Sequence, residues 1–293
     1  MEELFNIESK IYSEYETYEK KFAFLANKIL NYLILEINNR DYIIQELEFY
    51  LYSDTHPDTY THKHPYQKLF GHWYFHKQGT SDTYKSGTFK GLDIIFTDNT
   101  KDAFGGILIR SISNLETHII GPCNVVDHIL TQNKANTIPE LITNSIPTNS
   151  CFTKSGLYIK LSKEIRSNSI CYGPRVGLSF KYPIWANKNY RFLTNIKTND
   201  KYRGTIIIVL YQLGIPISEI INITNVKKSI IEKYILTYNT CTITLEQLQL
   251  MKNIPSLAIV LQSIISNTQK LIPHTKILPK KITLKIITLN SDN

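Results

Sequence analysis

The sequence predicts an α+β protein: a mixed-sheet domain over residues 1–195, followed by a basic helical extension over residues 196–293. Three observations lead there. An amphipathic helical pattern precedes a series of short strand-like runs. The separators between those runs are rich in Gly, Pro, Asp and His. After residue 195 the texture changes to apolar residues at helical spacing, interspersed with lysine. With 293 residues, 42% of them hydrophobic, the chain is long enough to bury a substantial core.

Residues 17–36 (TYEKKFAFLANKILNYLILE) place apolar side chains at helical spacing and predict a helix packed on the strands after it. Strands are expected at Tyr42 to Tyr52, Leu92 to Phe96, Gly106 to Arg110 and Leu157 to Leu161. Residues 121–130 (GPCNVVDHIL) read as a helix entered through Gly-Pro. Residues 131–150, rich in Asn, Thr, Pro and Ser, read as a loop, and Cys171 to Phe192 mixes strand and turn signals.

The extension carries the charge. Residues 193–293 hold 12 Lys and Arg against 5 Asp and Glu, a net +7, whereas residues 1–192 hold 21 against 20. Such an excess is either a solvated tail or a patch that neutralises phosphates. Within it, residues 205–235 read as successive helices. Pro216 fits a helix start, and Asn225 falls where a tight turn needs a residue tolerant of positive φ. Ile220, Val226, Ile230 and Ile231 occupy the positions a helix-turn-helix buries, which leaves Lys227, Lys228 and Lys233 on or near its recognition helix. An ordinary three-helix appendage has the same pattern.

No apolar run is long enough for a membrane span. The N-terminus lacks a basic segment followed by an apolar one, and Cys123, Cys151, Cys171 and Cys241 form no CxxC pair. These features predict a cytoplasmic protein with reduced thiols, nucleoid-associated in a bacterium, and no obligate protein partner.

The chemistry is concentrated in IIQELEFYLYSDTHPDTYTHKHPY. Strand alternation puts Glu46, Glu48 and Tyr50 on one face and Leu47 and Phe49 on the other. Paired carboxylates in a cleft provide a general base, although a half-exposed strand with acidic outer residues looks the same. The imidazoles of His56, His62, His64, His72 and His76 invite a metal reading. Without cysteines beside them they are read as hydrogen-bonding groups, and no metal or cofactor is assigned. Trp73, Tyr74, Phe75, Tyr84 and Phe89 alternate with Lys77, Lys85 and Lys90, which suits an extruded base and its flanking phosphates, or equally a β-hairpin.

Taken in order, these motifs resemble the alkyladenine (3-methyladenine) DNA glycosylases, a family with a formyltransferase-C-terminal-like fold. Residues 46–50 (ELEFY) are similar to the family's ETEAY strand, and Asp58 with His62 to its D…AAH segment. GGILIR at 105–110 resembles its strand ending in arginine, Gly121-Pro122 its later helix start, and PRVG (174–177) with YRF (190–192) its closing RIG…RF elements. The likeness covers roughly residues 20–195.

The resemblance implies a monofunctional glycosylase that flips a damaged or modified base out of double-stranded DNA and hydrolyses its N-glycosidic bond. Glu48 would activate water, Arg110 would position the water or sugar-phosphate, and Tyr50 and His62 would bind the base; Glu46, the neighbour of Glu48 on the same strand face, is read as the residue that orients it. The family's RN…MF stretch and YVYxxYG hairpin are absent. FGHWYFHKQGTSDTYKSGTFKGLDIIF stands in their place, which makes Tyr74, Tyr84 and Phe89 the candidates to fill the gap left by a flipped base. Asp93 has no family counterpart and is a candidate second acid. A rebuilt pocket wall and the added extension lean towards modified foreign DNA, such as a phage genome. The alternative is a non-catalytic DNA-binding protein that keeps the fold.

Overall fold

The computed structural model describes residues 17–97, 102–168, 170–179, 181–186, 188–194 and 203–240, with strand backbone at 242–244 and 281–283. The chain is α+β and divides into two compact units, Met1–Ile170 with Phe192–Thr194, and Cys171–Arg191 with Asn195–Asn293. Cys171–Arg191 thus joins the second unit, whereas the sequence put the division near residue 195.

The first unit is an antiparallel sheet with helices. Its helix α1 (Tyr18–Tyr32) starts at Thr17, whose hydroxyl accepts from the Lys20 amide. The helix stops four residues short of the expected Glu36, because Leu33–Ile37 (LILEI) forms strand β1. Every second side chain of LILEI is wanted by the core, and β1 finds hydrogen-bonding neighbours on both sides, which outweighs the helical periodicity. β2 (Arg40–Ser53) follows a tight turn at Asn38 and Asn39, both at positive φ. After the short β3 (His56–Pro57) come β4 (Trp73–Phe75), β5 (Leu92–Ile94), β6 (Phe104–Ser113), β7 (His118–Ile120) and β8 (Leu157–Leu161). The sheet runs β4-β5-β6-β2-β1-β8.

Two helices come after β7. Helix α2 (Pro122–Gln132) opens as the Gly-Pro signal predicted, with Gly121 at φ 99° and Pro122 in the first turn. Helix α3 (Ile138–Ser145) lies inside the expected 131–150 loop. The Thr137 hydroxyl accepts from the Glu140 amide, and Pro139 is tolerated in the first turn, where an amide proton is not needed. The polar composition therefore encoded a helix start.

Cross-strand partners share a face of an antiparallel sheet. Register links Phe49 to Ile107, Ile107 to Ile94, and Ile94 to Trp73. All four side chains are buried, and Phe22 of α1 stacks on Phe49 at 4.7 Å, with Phe96 and Phe192 edge-on around it. Fully burying a side chain such as Phe49 contributes roughly 1.5–3 kcal/mol, so this face is the main core. The other face carries Tyr74, Asp93, Leu108 and Glu48 in one row.

In the second unit, β9 (Cys171–Gly173) and the short helix α4 (Pro183–Ala186) precede β10 (Arg191–Leu193), whose last two residues count with the first unit. Three helices complete it: α5 (Arg203–Gln212), α6 (Ile217–Thr224) and α7 (Lys228–Thr240). Ile206–Leu210 are buried all round α5, and Gly204 lets α7 approach, since a Cβ there would lie 2.7 Å from the Tyr234 ring. Asn225 turns the chain between α6 and α7 in the left-handed conformation, φ 51°. Ile220, Val226 and Ile231 are buried and Ile230 is half-buried. No helix of the described residues is long and apolar enough to cross a membrane.

Candidate functional site

The polar face of β2 and β6 carries an electrostatic cluster. Arg110 Nε lies 2.8 Å from Glu46 Oε1 and 3.4 Å from Glu48 Oε1, and the Tyr50 hydroxyl donates to Glu48 Oε2 at 2.8 Å. Glu48 is fully buried, Glu46 and Arg110 nearly so, and Tyr50 is half-buried at the edge. The β2–β6 register shifts on either side of Glu46, and this irregularity brings Glu46 to the same guanidinium as Glu48. Burial opposes the charge on Arg110, but Glu48 and then Glu46 more than offset it, so the guanidinium is held above its ordinary value. The Arg110 carbonyl also accepts from the Gly121 amide, which ties the start of α2 to the same strand position.

Asp93 stands beside this cluster. It pairs with Leu108 in the row that includes Glu48, and its carboxylate occupies the space over Gly106, where a Cβ would collide with Oδ2. Gly106 is in turn the cross-strand partner of Tyr50. The second glycine of GGILIR therefore has a physical purpose: it leaves room for the carboxylate of the neighbouring strand.

On the far side of Asp93 the histidines gather. His76 Nε2 is 2.8 Å from Asp93 Oδ1, and the His76 ring lies over Gly91, where a Cβ would approach it to 2.5 Å. His62 meets His76 edge to face at 4.5 Å. Its Nε2 is 3.1 Å from Lys85 Nζ and its Nδ1 is 3.3 Å from the Tyr74 hydroxyl. An ammonium only donates, so Nε2 accepts and the His62 proton sits on Nδ1, directed at Tyr74. Burial, then the charges of His76, Lys85 and His64, push the His62 imidazole down to about 2, so it is neutral at any physiological pH. Burial lowers the Lys85 ammonium while Asp93 opposes the shift, and burial raises the Tyr74 phenol. The turn that delivers His62 is held by Asp58, whose carboxylate accepts from the Tyr60 amide.

The remaining expected residues separate by exposure. Tyr74 is buried and Tyr84 half-buried, with Lys77 Nζ 3.6 Å from the centre of the Tyr84 ring. Phe89 is 75% exposed on the turn Gly87–Phe89. That turn is fastened to α2 by an ion pair between Lys90 and Asp127 and by the Cys123 thiol donating to the Gly87 carbonyl at 3.0 Å. Lys90 is therefore engaged in an internal ion pair, and Lys85 is held by His62. Lys227, Lys228 and Lys233 are exposed in the second unit, with Lys228 3.6 Å from Glu232 one turn on.

The other imidazoles support structure. His56 bonds to the Leu51 carbonyl beneath Tyr18, and His64 caps the turn Pro65–Lys68. Among the described residues no group of three His, Cys, Asp or Glu is placed to hold a metal ion. Of the PRVG and YRF arginines, Arg175 and Arg191 are both buried in the second unit, with Arg175 Nη2 donating to the Trp185 carbonyl at 3.0 Å.

The pairing of His76 with Asp93 was not foreseen from sequence. Its available signal was glycine at or beside strand-like runs: Gly91 and Gly106 each mark a place where another group approaches the backbone.

No family model matches the chain. A search of known proteins finds "Uncharacterized protein L759" of Acanthamoeba polyphaga mimivirus, 36% identical over 200 residues, which span 64% of this chain and 91% of the viral protein. At that identity and coverage, the chain belongs to the same protein family as this mimivirus protein.

Proposed function

We propose that the protein is a DNA glycosylase that hydrolyses the N-glycosidic bond of a flipped, modified base, on a formyltransferase-C-terminal-like domain. The observation that carries the reading is the buried Glu46–Arg110–Glu48–Tyr50 cluster on β2 and β6, of which Tyr50 is the half-exposed member. Cleavage at C1′ builds oxocarbenium character on the sugar, which a nearby carboxylate stabilises while it takes a proton from the attacking water. Arg110 fixes the orientation of Glu48, and the Tyr50 phenol provides a rigid edge where the base enters. Phe89, exposed on a fastened turn, is the side chain suited to fill the gap in the duplex. The lysines of α7 and its start contribute phosphate contacts.

One observation favours a second reading, a DNA-binding protein without hydrolysis. Glu48 is fully buried, and each of its oxygens already faces a partner. The two readings part in one experiment. Purified protein is incubated with duplexes bearing a panel of modified bases, and abasic sites are counted. The glycosylase reading expects base release by the wild type and its loss in Glu48→Gln with DNA affinity kept, because the amide preserves shape but accepts no proton. Equal release by Glu48→Gln and wild type removes Glu48 from the mechanism.

A further inference from the structure

The Glu48 cluster accounts for the water but leaves the departing base without a proton donor. Base departure takes the electron pair of the C1′–N bond onto nitrogen, and a neutral purine leaves readily only if another ring nitrogen, such as N7, is protonated so that the ring departs uncharged. Four titratable side chains stand on the side of Asp93 away from Glu48. His62 is neutral and has both nitrogens engaged, Nδ1 with Tyr74 and Nε2 with Lys85. Tyr74 is buried under that same pair. Lys85 points its ammonium at His62. His76 differs: Nε2–H is committed to Asp93 Oδ1 at 2.8 Å, while Nδ1 has no hydrogen bond among the described residues and the side chain is 14% exposed.

We propose that His76 is the general acid of the reaction, with Asp93 as its positioning residue; this rests on the glycosylase reading. The imidazolium donates its Nδ1 proton to that second ring nitrogen of the base as the C1′–N bond breaks and its electron pair enters the ring. The neutral imidazole that remains keeps Nε2–H on Asp93. Water adds to C1′ and its proton goes to Glu48, so one proton is released to the base and one is taken up by the carboxylate. Gly91 and Gly106 make the arrangement sterically possible, the first under the His76 ring and the second under the Asp93 carboxylate. The groups facing His76 are Asp93 from β5, Tyr74 from β4, His62 from the loop after β3, and Lys85 through its contact with His62.

The test uses full-length protein, single-turnover kinetics and two duplex probes. One carries hypoxanthine, a neutral leaving base, and the other N7-methylguanine, whose fixed positive charge makes protonation unnecessary. His76→Gln is expected to slow hypoxanthine release about 100-fold or more, the usual weight of a general acid, and to change N7-methylguanine release less than about 10-fold. The fall in hypoxanthine rate at alkaline pH should vanish in the variant. Asp93→Asn should give the same split, smaller in size, and it stands as the second variant if His76→Gln does not fold. Equal loss on both probes, or no loss on either, overturns the assignment while the glycosylase reading survives. Release of neither base by wild type overturns the assignment together with the substrate chemistry it rests on.

Discussion

Replacing Arg110 by Met tests the electrostatic centre of the first unit directly. The guanidinium sits 2.8 Å from Glu46 and 3.4 Å from Glu48, and all three groups are buried. At an effective dielectric constant of about 20, these contacts are worth roughly 6 and 5 kcal/mol of gross attraction, against a desolvation cost of similar size. The net contribution of the pair is small, but removing only the cation leaves two carboxylates in the interior without that countercharge. That loss is about 3–5 kcal/mol. In Arg110→Met the buried carboxylates should titrate above their unfolded values. Their protonated forms then suit the folded state, so the variant's deficit should be smallest near pH 4 and grow as pH rises to 7. Adding Glu46→Gln and Glu48→Gln should recover part of the loss at pH 7. Urea unfolding followed by circular dichroism, with unchanged m-values, measures all three quantities. A deficit below about 1 kcal/mol that is flat between pH 4 and 7 would refute the argument that this cluster is one buried charge unit.

Three further outcomes follow from the geometry. Gly106→Ala places a methyl group against Asp93 Oδ2; it should cost about 1–3 kcal/mol and slow base release beyond what the stability loss explains, as measured by melting and single-turnover assays. Because the folded-state value of His62, about 2, lies below the unfolded value, its contribution to stability is present above about pH 6.5 and fades as pH falls. His62→Gln should flatten that acid limb of the stability curve, and an unchanged limb would exclude His62 as its source. Changing Lys227 and Lys228 together to Ala should weaken DNA binding and lower the slope of log affinity against log salt by about one unit for each phosphate no longer neutralised, while saturated single-turnover rates stay the same. An unchanged slope would return these lysines to the solvated surface.

Much of the fold was legible because side chains of β2 and β6 alternate with a two-residue period on either side of the register shift at Glu46. Alternation in ELEFYL sends Leu47, Phe49 and Leu51 to the core and Glu46, Glu48 and Tyr50 to the polar face. The Gly-Pro entry of α2 and the left-handed turn at Asn225 were readable for a similar reason: each depends on a backbone demand that few residues meet. Leu33–Ile37 misleads because its local pattern continues a helix, and only pairing with β2 and β8 makes it a strand. The helix Ile138–Ser145 is hidden by polar residues that supply its start, Thr137 above all.

The site itself was half legible, and the division reflects its construction. Glu46, Glu48, Tyr50 and Arg110 lie on two neighbouring strands, where spacing along the sequence fixes direction in space. His62, His76 and Lys85 arrive from segments joined by turns, so their meeting depends on contacts between residues up to 23 positions apart that no period reveals. Lys90 shows the same limit from the other side. As one of a series of lysines beside aromatics it reads as a phosphate contact, yet Asp127, 37 residues away, takes its charge and converts it into the fastening of the Phe89 turn. A cation's role is set by its nearest carboxylate, and for a loop residue that neighbour is a property of the fold. The glycines supply the missing information. Gly91 and Gly106 have no side chain to pack, and each is covered by a polar group, the His76 ring over Gly91 and the Asp93 carboxylate over Gly106, so together they outline where His76 and Asp93 come to lie.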